Sequence, residues 1–216
     1  VVMCALGWAC WKTYVGRPET AIARKMAIGV LGGGLSDADH HEDALSVQEA
    51  ELSMLRRLGV SDEDILRVQY DLALTYHALG RPEALQMRRD VYSGYLRLYG
   101  EEHRDTLIAA DGYVGALITL KRFKEVKSLL RRTMPVARRV LGDCDNTTVS
   151  MRYRYASAVC VDDDVTLDDF REAVATLEDV ERIARRVFGG AHPTTTGIEG
   201  ALRRARAVLR SPSACA

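Results

Sequence analysis

The sequence carries no net charge, since its 30 basic residues balance 30 acidic ones over 216 positions. That balance gives no reason to expect a nucleic acid or an anionic membrane as the partner. Proline is scarce, with five in the chain, whereas long stretches are rich in alanine, leucine, arginine and glutamate. Such a composition favours helix. The length allows a sizeable core within one domain.

Cysteine patterning and catalytic motifs are also lacking. The five cysteines form no Cys-x-x-Cys pair, and none lies at metal-finger spacing from a histidine. A scattered, odd set is typical of reduced thiols, so a cytoplasmic location is predicted. There is no Gly-x-Ser-x-Gly, no phosphate-binding loop and no His-Glu-x-x-His. We therefore expect no enzyme activity and no cofactor.

Long hydrophobic runs are missing as well. Residues 1–11 are apolar, but a membrane span needs about 20 residues. The segment also lacks the basic start of a secretion signal, so no membrane partner is expected. Two interpretations remain open, namely the cut end of a longer protein or a helix docked on the first structural unit after it.

What the chain does have is a periodic glycine that follows an apolar residue. Gly59, Gly100, Gly142 and Gly189 are separated by 41, 42 and 47 residues. Seventeen residues before each of the last three lies a glutamate followed by alanine or valine. A fixed period of this size is typical of a solenoid, in which each unit buries its apolar face against its neighbours.

The sequence within one period indicates two helices joined by a tight turn. In the second unit, Ser61 is a helix N-cap with Asp64 three residues on. Apolar residues then recur at steps of three and four over residues 65–79, which describes one helix face. The Gly-Arg-Pro of residues 80–82 ends that helix and starts the next.

The other units vary this pattern. Asp105 is predicted to cap the first helix of the third unit, and Thr166 to cap a helix over residues 167–188. A last helix over 193–210 has no partner helix, and a polar outer face suits the end of a solenoid. The first helix of the first unit, residues 20–35, contains four glycines. Each costs about 1 kcal/mol relative to alanine, so we expect this helix to be frayed or broken.

Several of these segments match one repeat consensus, approximately His-Pro-x-Thr-Leu, Asn-Leu-Ala, Gly-Arg-x-x-Glu-Ala and Leu-Gly. The matching segments are residues 71–73, 80–84, 103–107, 122–126 and 192–195. Over residues 39–210 the chain resembles tetratricopeptide repeat (TPR) proteins of the kinesin-light-chain type, and uncharacterised repeat families of microalgae that share this unit. No kinesin role follows, because a fold does not fix a function.

The resemblance implies an all-α, right-handed α-solenoid of about four helix-turn-helix repeats of about 42 residues plus a C-terminal capping helix. We predict a single superhelical domain over residues 1–210 with a flexible tail. Its predicted segments are an N-terminal helix or truncated end (1–19), repeats at 20–59, 60–100, 101–142 and 143–189, the capping helix (190–210) and the tail (211–216).

The resemblance also implies that the first helix of each pair lines a concave groove. The function predicted is a non-catalytic scaffold that binds a peptide or a helical segment of a partner protein. The partner's identity, the oligomeric state and the presence of further domains are left open. The groove candidates are Arg67, Tyr70, Asp71, Leu74, His77, Asp111, Tyr153, Arg154 and Arg204.

Two charged stretches suggest alternatives. Residues 121–141 hold eight basic residues and one acid. One interpretation is a surface that binds RNA phosphates, and the favoured one is an exposed outer face of a helix. Residues 36–64 hold nine acids and two basic residues, so the two stretches could also pair between molecules in weak self-association. The acids and histidines of residues 37–43 fit a helix start better than a metal site. Residues 162–164 are interpreted as an acidic turn rather than a calcium loop.

Overall fold

The computed structural model describes residues 2–162 and 165–210, and in those ranges it contains ten α-helices and no strand. The all-α class is thereby confirmed. The helices are α1 (Val2–Tyr14), α2 (Ile22–Asp37), α3 (His41–Leu58), α4 (Asp62–Ala78), α5 (Glu83–Tyr99), α6 (Arg104–Thr119), α7 (Phe123–Leu141), α8 (Asn146–Cys160), α9 (Leu167–Phe188) and α10 (Pro193–Arg210).

The periodic glycines follow every second helix from α3 to α9, as predicted. Gly59 is a left-handed cap after α3 with φ 61°. Gly100, Gly142 and Gly189 have φ between 82° and 87° after α5, α7 and α9. Residues with a Cβ rarely adopt a positive φ. Glycine is therefore needed at these positions for the backbone rather than for packing.

The first compact unit comprises residues 2–98, from α1 to nearly the end of α5. Within it α1 packs on α2, α2 on α3 and α3 on α4. Ile28, Leu52 and Leu72 lie in one buried cluster with further apolar residues of α3 and α4. α1 thus lies on α2, and both interpretations of residues 1–11, a truncated end or a docked helix, stay predictions.

The prediction that the glycines break the first helix of the first unit is wrong. Residues 22–37 form one continuous α-helix. A Cβ at Gly34 would lie 2.5 Å from the carbonyl oxygen of Met3, and a Cβ at Gly7 would lie 2.8 Å from Cα of Leu31. The glycines thus allow the α1 and α2 backbones to approach closely, and this packing offsets the helix penalty that local propensity assigns.

The second compact unit comprises residues 99–210, with α6 to α10 packed in sequence. Val149, Leu177 and Ile198, one from each of the last three helices, are fully buried in a shared cluster. The Thr166 cap is confirmed, since its hydroxyl accepts from the Asp169 N–H at 3.1 Å. The predicted helices over 167–188 and 193–210 have those bounds.

The prediction that Asp105 caps α6 is wrong. His103 is the N-cap, and its Nδ1 accepts from the Asp105 N–H at 3.3 Å. The imidazole also stacks on Tyr99 with the ring centroids 4.2 Å apart. Asp105 therefore falls inside the first turn, where its charge suits the helix dipole. Residues 163, 164 and 211–216, with most of the acidic turn and the tail, lie outside the described residues.

Candidate binding faces on the first helices

The first helix of each pair exposes one side to solvent, which we call the A-helix face. In the first unit it belongs to α2 and α4. Arg67, Leu74 and His77 of α4 are exposed there, while Tyr70 and Asp71 are half-buried. Residues at steps of three and four share a face of a helix, so these five predicted groove residues lie on one side of α4. Their role in binding stays a prediction.

Arg67 is held by a residue that the sequence did not single out. Its guanidinium lies 3.3 Å from Oε1 of Glu51, whose side chain is 3% exposed. A Cβ at Gly29 would lie 3.1 Å from the same oxygen. The buried carboxylate on α3 therefore pairs with Arg67 on α4 and lies where a side chain at Gly29 of α2 would crowd it. Burial raises the pKa of Glu51, although Arg67 opposes the shift.

Asp71 lies one turn further along α4. Burial raises the pKa of its carboxyl group, Arg67 lowers it and the like charge of Asp37 raises it again. Below it, Thr75 donates to Gln48 at 2.8 Å and both side chains are buried. The Thr75–Gln48 pair beneath this face is thus satisfied by a hydrogen bond, while Asp71 and Asp37 place two acids near Arg67.

Sequence reasoning missed the apolar part of this face. Met26 and Val30 of α2 are exposed, and each lies 41 residues before a predicted groove residue, Arg67 and Asp71 respectively. The repeat period therefore contained the signal. A frayed or broken helix presents no continuous face, so the expectation for residues 20–35 places no groove residue there.

In the second unit the structure brings two predicted residues together. Nε of Arg154 lies 3.2 Å from Oδ1 of Asp111, and the Ser150 hydroxyl donates to Oδ2 of Asp111 at 2.9 Å. Nε of Arg154 also donates to the Ser150 hydroxyl at 2.9 Å. A Cβ at Gly115 would lie 2.6 Å from the Arg154 guanidinium, so the absence of a side chain at this glycine leaves room for the guanidinium. This network joins α6 to α8, and it occupies groups that were predicted to face a partner.

The other two predicted residues of the second unit remain separate from this network. The Tyr153 hydroxyl is 3.5 Å from the Gly197 carbonyl oxygen, which links α8 to α10. Arg204 is exposed on α10, close to Gly200. Of the second unit's candidates, Arg204 is therefore the most accessible cation.

At least four of the eight basic residues in the stretch 121–141 form ion pairs within the second unit. Arg122 pairs with Glu125 at 2.5 Å, Arg138 with Asp143 at 2.7 Å and Arg139 with Glu102 at 2.5 Å. Lys127 pairs with Asp162. The hydrogen bond from Arg138 lowers the pKa of Asp143. These pairs balance part of the local positive charge, and nothing here favours the RNA alternative.

Two further kinds of site are absent from residues 2–162 and 165–210. None of the helices there combines the length and the apolar character that crossing a membrane requires. No group of three or more histidine, cysteine or acidic side chains in the same ranges could hold a metal ion. His41 and Asp39, from the acidic stretch, lie 3.6 Å apart as a pair.

Comparison with solved structures shows the fold. The TPR-like repeats of a proposed kinesin light chain from Podosopora anserina are 20% identical, with a TM-score of 0.68 over 92% of each chain. A single-residue variant of those repeats gives a TM-score of 0.69 over 88% of this chain and 89% of that one. No protein-family model matches the sequence, and no curated protein does.

Two other solved structures share the architecture. BtubC (BKLC) from P. vanneervenii is 12% identical, with a TM-score of 0.54 over 97% of this chain and 89% of that one. A Rap protein in complex with competence and sporulation factor is 15% identical, with a TM-score of 0.60 over 95% of this chain and 57% of that one. The predicted TPR-like α-solenoid fold is confirmed, whereas repeat number, handedness and domain boundaries stay predictions.

Proposed function

We propose that the chain is a non-catalytic scaffold that binds a peptide or a helical segment of a partner protein on its A-helix faces. The observation that carries this proposal is the exposure of large apolar and charged side chains on those faces. Met26, Val30 and Leu74 are exposed in the first unit, and Arg204 is exposed in the second. Solvent-exposed apolar side chains beside charges are typical of surfaces that accept a partner.

The structural neighbours support the same proposal at a coarse level. One of them is the Rap protein solved in complex with competence and sporulation factor. Extended TPR-like surfaces suit an elongated ligand because successive helices present side chains at a regular spacing. Nothing in this support names the partner of the present chain.

The test is a selection of random peptides displayed on phage, followed by affinity measurements on the selected peptides. We expect binders whose affinity falls about tenfold or more, a loss of about 1.4 kcal/mol, in the variants Leu74→Gln or Arg204→Gln. Arg154→Ala is a poorer probe, because Arg154 is held by Asp111 and Ser150.

The matched control is Arg89→Gln on α5, an exposed residue of a second helix. It should leave the affinity unchanged, and circular dichroism should show all three variants folded. Failure to select any binder, or binders that respond only to Arg89→Gln, would refute the proposal.

A further inference from the structure

An apolar stripe follows α2 on the side that faces solvent. Ile22, Met26 and Val30 are 70%, 65% and 37% exposed and recur at steps of four. Residues at that spacing lie above one another on a helix. Gly33 continues the stripe, and a Cβ there would meet nothing within 4 Å. The stripe thus ends in open space beside the helix backbone.

The stripe borders α4 at the Glu51–Arg67 pair. Gly29 precedes Val30, and a Cβ on Gly29 would lie 3.7 Å from Nη1 of Arg67. Leu74, 40% exposed, lies two turns beyond Arg67 on α4. The apolar side chains of α2 and α4 therefore flank a polar centre within the same compact unit.

The charge at that centre is unbalanced. Arg67 is engaged by the buried carboxylate of Glu51. Asp71 has no cation within ion-pair distance in the part of the chain that the structure describes, and the nearby charge on Asp37 disfavours its ionised form. Arg67 is thus shared, since it pairs with Glu51 and also favours the ionised form of Asp71, and the acids Glu51, Asp71 and Asp37 outnumber it. A cation brought by a partner would relieve their repulsion.

Resting on the function proposed above, we infer that the A-helix face of the first unit binds a segment presenting a lysine or arginine among apolar side chains. The cation of the bound segment would lie beside Asp71 and Asp37, and its apolar side chains would pack on Met26, Val30 and Leu74. The exposed apolar stripe supplies contact area, and the acid surplus selects the charge of the partner. An acidic segment would add a third negative charge to the site and is disfavoured.

The experiment uses three short fluorescein-labelled peptides that share their leucines and differ in carrying lysine, glutamine or glutamate. Fluorescence anisotropy with the whole chain should rank their affinities lysine over glutamine over glutamate. Asp71→Asn should weaken the lysine peptide about tenfold, which corresponds to one paired charge at about 1.4 kcal/mol. The same variant should leave the glutamine peptide unchanged, and Met26→Gln should weaken both.

The control is Asp90→Asn, which removes one exposed acid from α5 and should not affect the lysine peptide at physiological salt. Equal affinity for the lysine and glutamate peptides, or equal effects of Asp71→Asn and Asp90→Asn, would overturn the inference. Phage-selected peptides that bind through Arg204 alone would also overturn it while leaving the proposed function intact. If no peptide of any kind binds, the proposed function itself fails.

Discussion

Two adjacent glycines of α2 should respond in opposite directions to the same substitution. Alanine in place of glycine inside a helix stabilises by about 0.5–1 kcal/mol. Gly33 has nothing within 4 Å of an added Cβ, so Gly33→Ala should stabilise the first unit by about that amount. At Gly34 the added Cβ would lie 2.5 Å from the Met3 carbonyl oxygen and 2.7 Å from its carbon.

The obstruction at Gly34 is backbone, so no rotamer change can relieve it. Overpacking of this kind costs about 1–3 kcal/mol. After the propensity term is subtracted, Gly34→Ala should be destabilising by up to about 2 kcal/mol. The two variants should therefore differ by about 1–3 kcal/mol in the free energy of unfolding, although the residues are neighbours on one helix.

Tryptophan fluorescence makes the local effect visible. Both tryptophans of the chain, Trp8 and Trp11, lie on α1. Trp11 is half-buried, and the guanidinium of Arg24 lies 5.9 Å from its ring centroid. In Gly34→Ala we expect the fluorescence transition in urea to move to lower concentration than the circular dichroism transition, because α1 loosens first.

Gly33→Ala is the matched control and should move the transitions to higher urea. If Gly34→Ala stabilised the protein as much as Gly33→Ala, the close approach of α1 to α2 would be refuted. A uniform loss of signal in both variants would instead mean that the helix cannot accept alanine at all, which contradicts the propensity argument.

Two further predictions concern the turn before α7 and the buried acid. Lys121 has a φ of 57°, a left-handed conformation that strains a residue with a Cβ, where the preceding repeat has Gly80 at 66°. Lys121→Gly should therefore raise the free energy of unfolding in urea by about 0.5–1 kcal/mol. Lys121→Ala keeps the strain and should not raise it. Burial raises the pKa of Glu51 above its ordinary 4.5, so its stabilising contribution is present below 4.5 and is lost as pH rises through the raised value. Glu51→Gln should therefore flatten the dependence of the urea midpoint on pH from 4.5 upward, and an unchanged slope would contradict the assigned burial.

The helix boundaries of the second unit were predictable because their signals are local. Thr166 with Asp169 caps α9, and Gly189 ends it at the predicted residue. These signals act within a few residues of the boundary they set. The prediction of the α6 cap was wrong because both His103 and Asp105 offer a side-chain acceptor, so the local sequence does not decide between them. The contact of His103 with Tyr99 in the fold favours His103.

The continuity of α2 could not be predicted in the same way. Its glycines are unfavourable by local propensity, and the benefit of Gly34 depends on α1, where a Cβ would meet the Met3 carbonyl oxygen. Likewise, a Cβ at Gly7 of α1 would meet the backbone of Leu31, which lies far along the chain. Such tertiary compensation is invisible to a window of neighbouring residues. The same continuity decides the site, because only an unbroken α2 places Met26 and Val30 on one exposed face.

The polar residues of the A-helix face have different partners in the two units, and this difference affects where a partner protein should bind. In the second unit Arg154 forms an ion pair with Asp111, and Ser150 is hydrogen-bonded to both residues across α6 and α8, so removing any one would take a partner from the other two. In the first unit the buried Glu51 takes the cation and leaves Asp71 beside exposed apolar side chains. A ligand gains little from charged groups that already pair with one another. A basic, apolar ligand gains both ion pairing and buried apolar area where excess acids lie beside exposed apolar side chains. The first unit is therefore the place where substitutions should change which partner binds, and the second the place where they should change stability first.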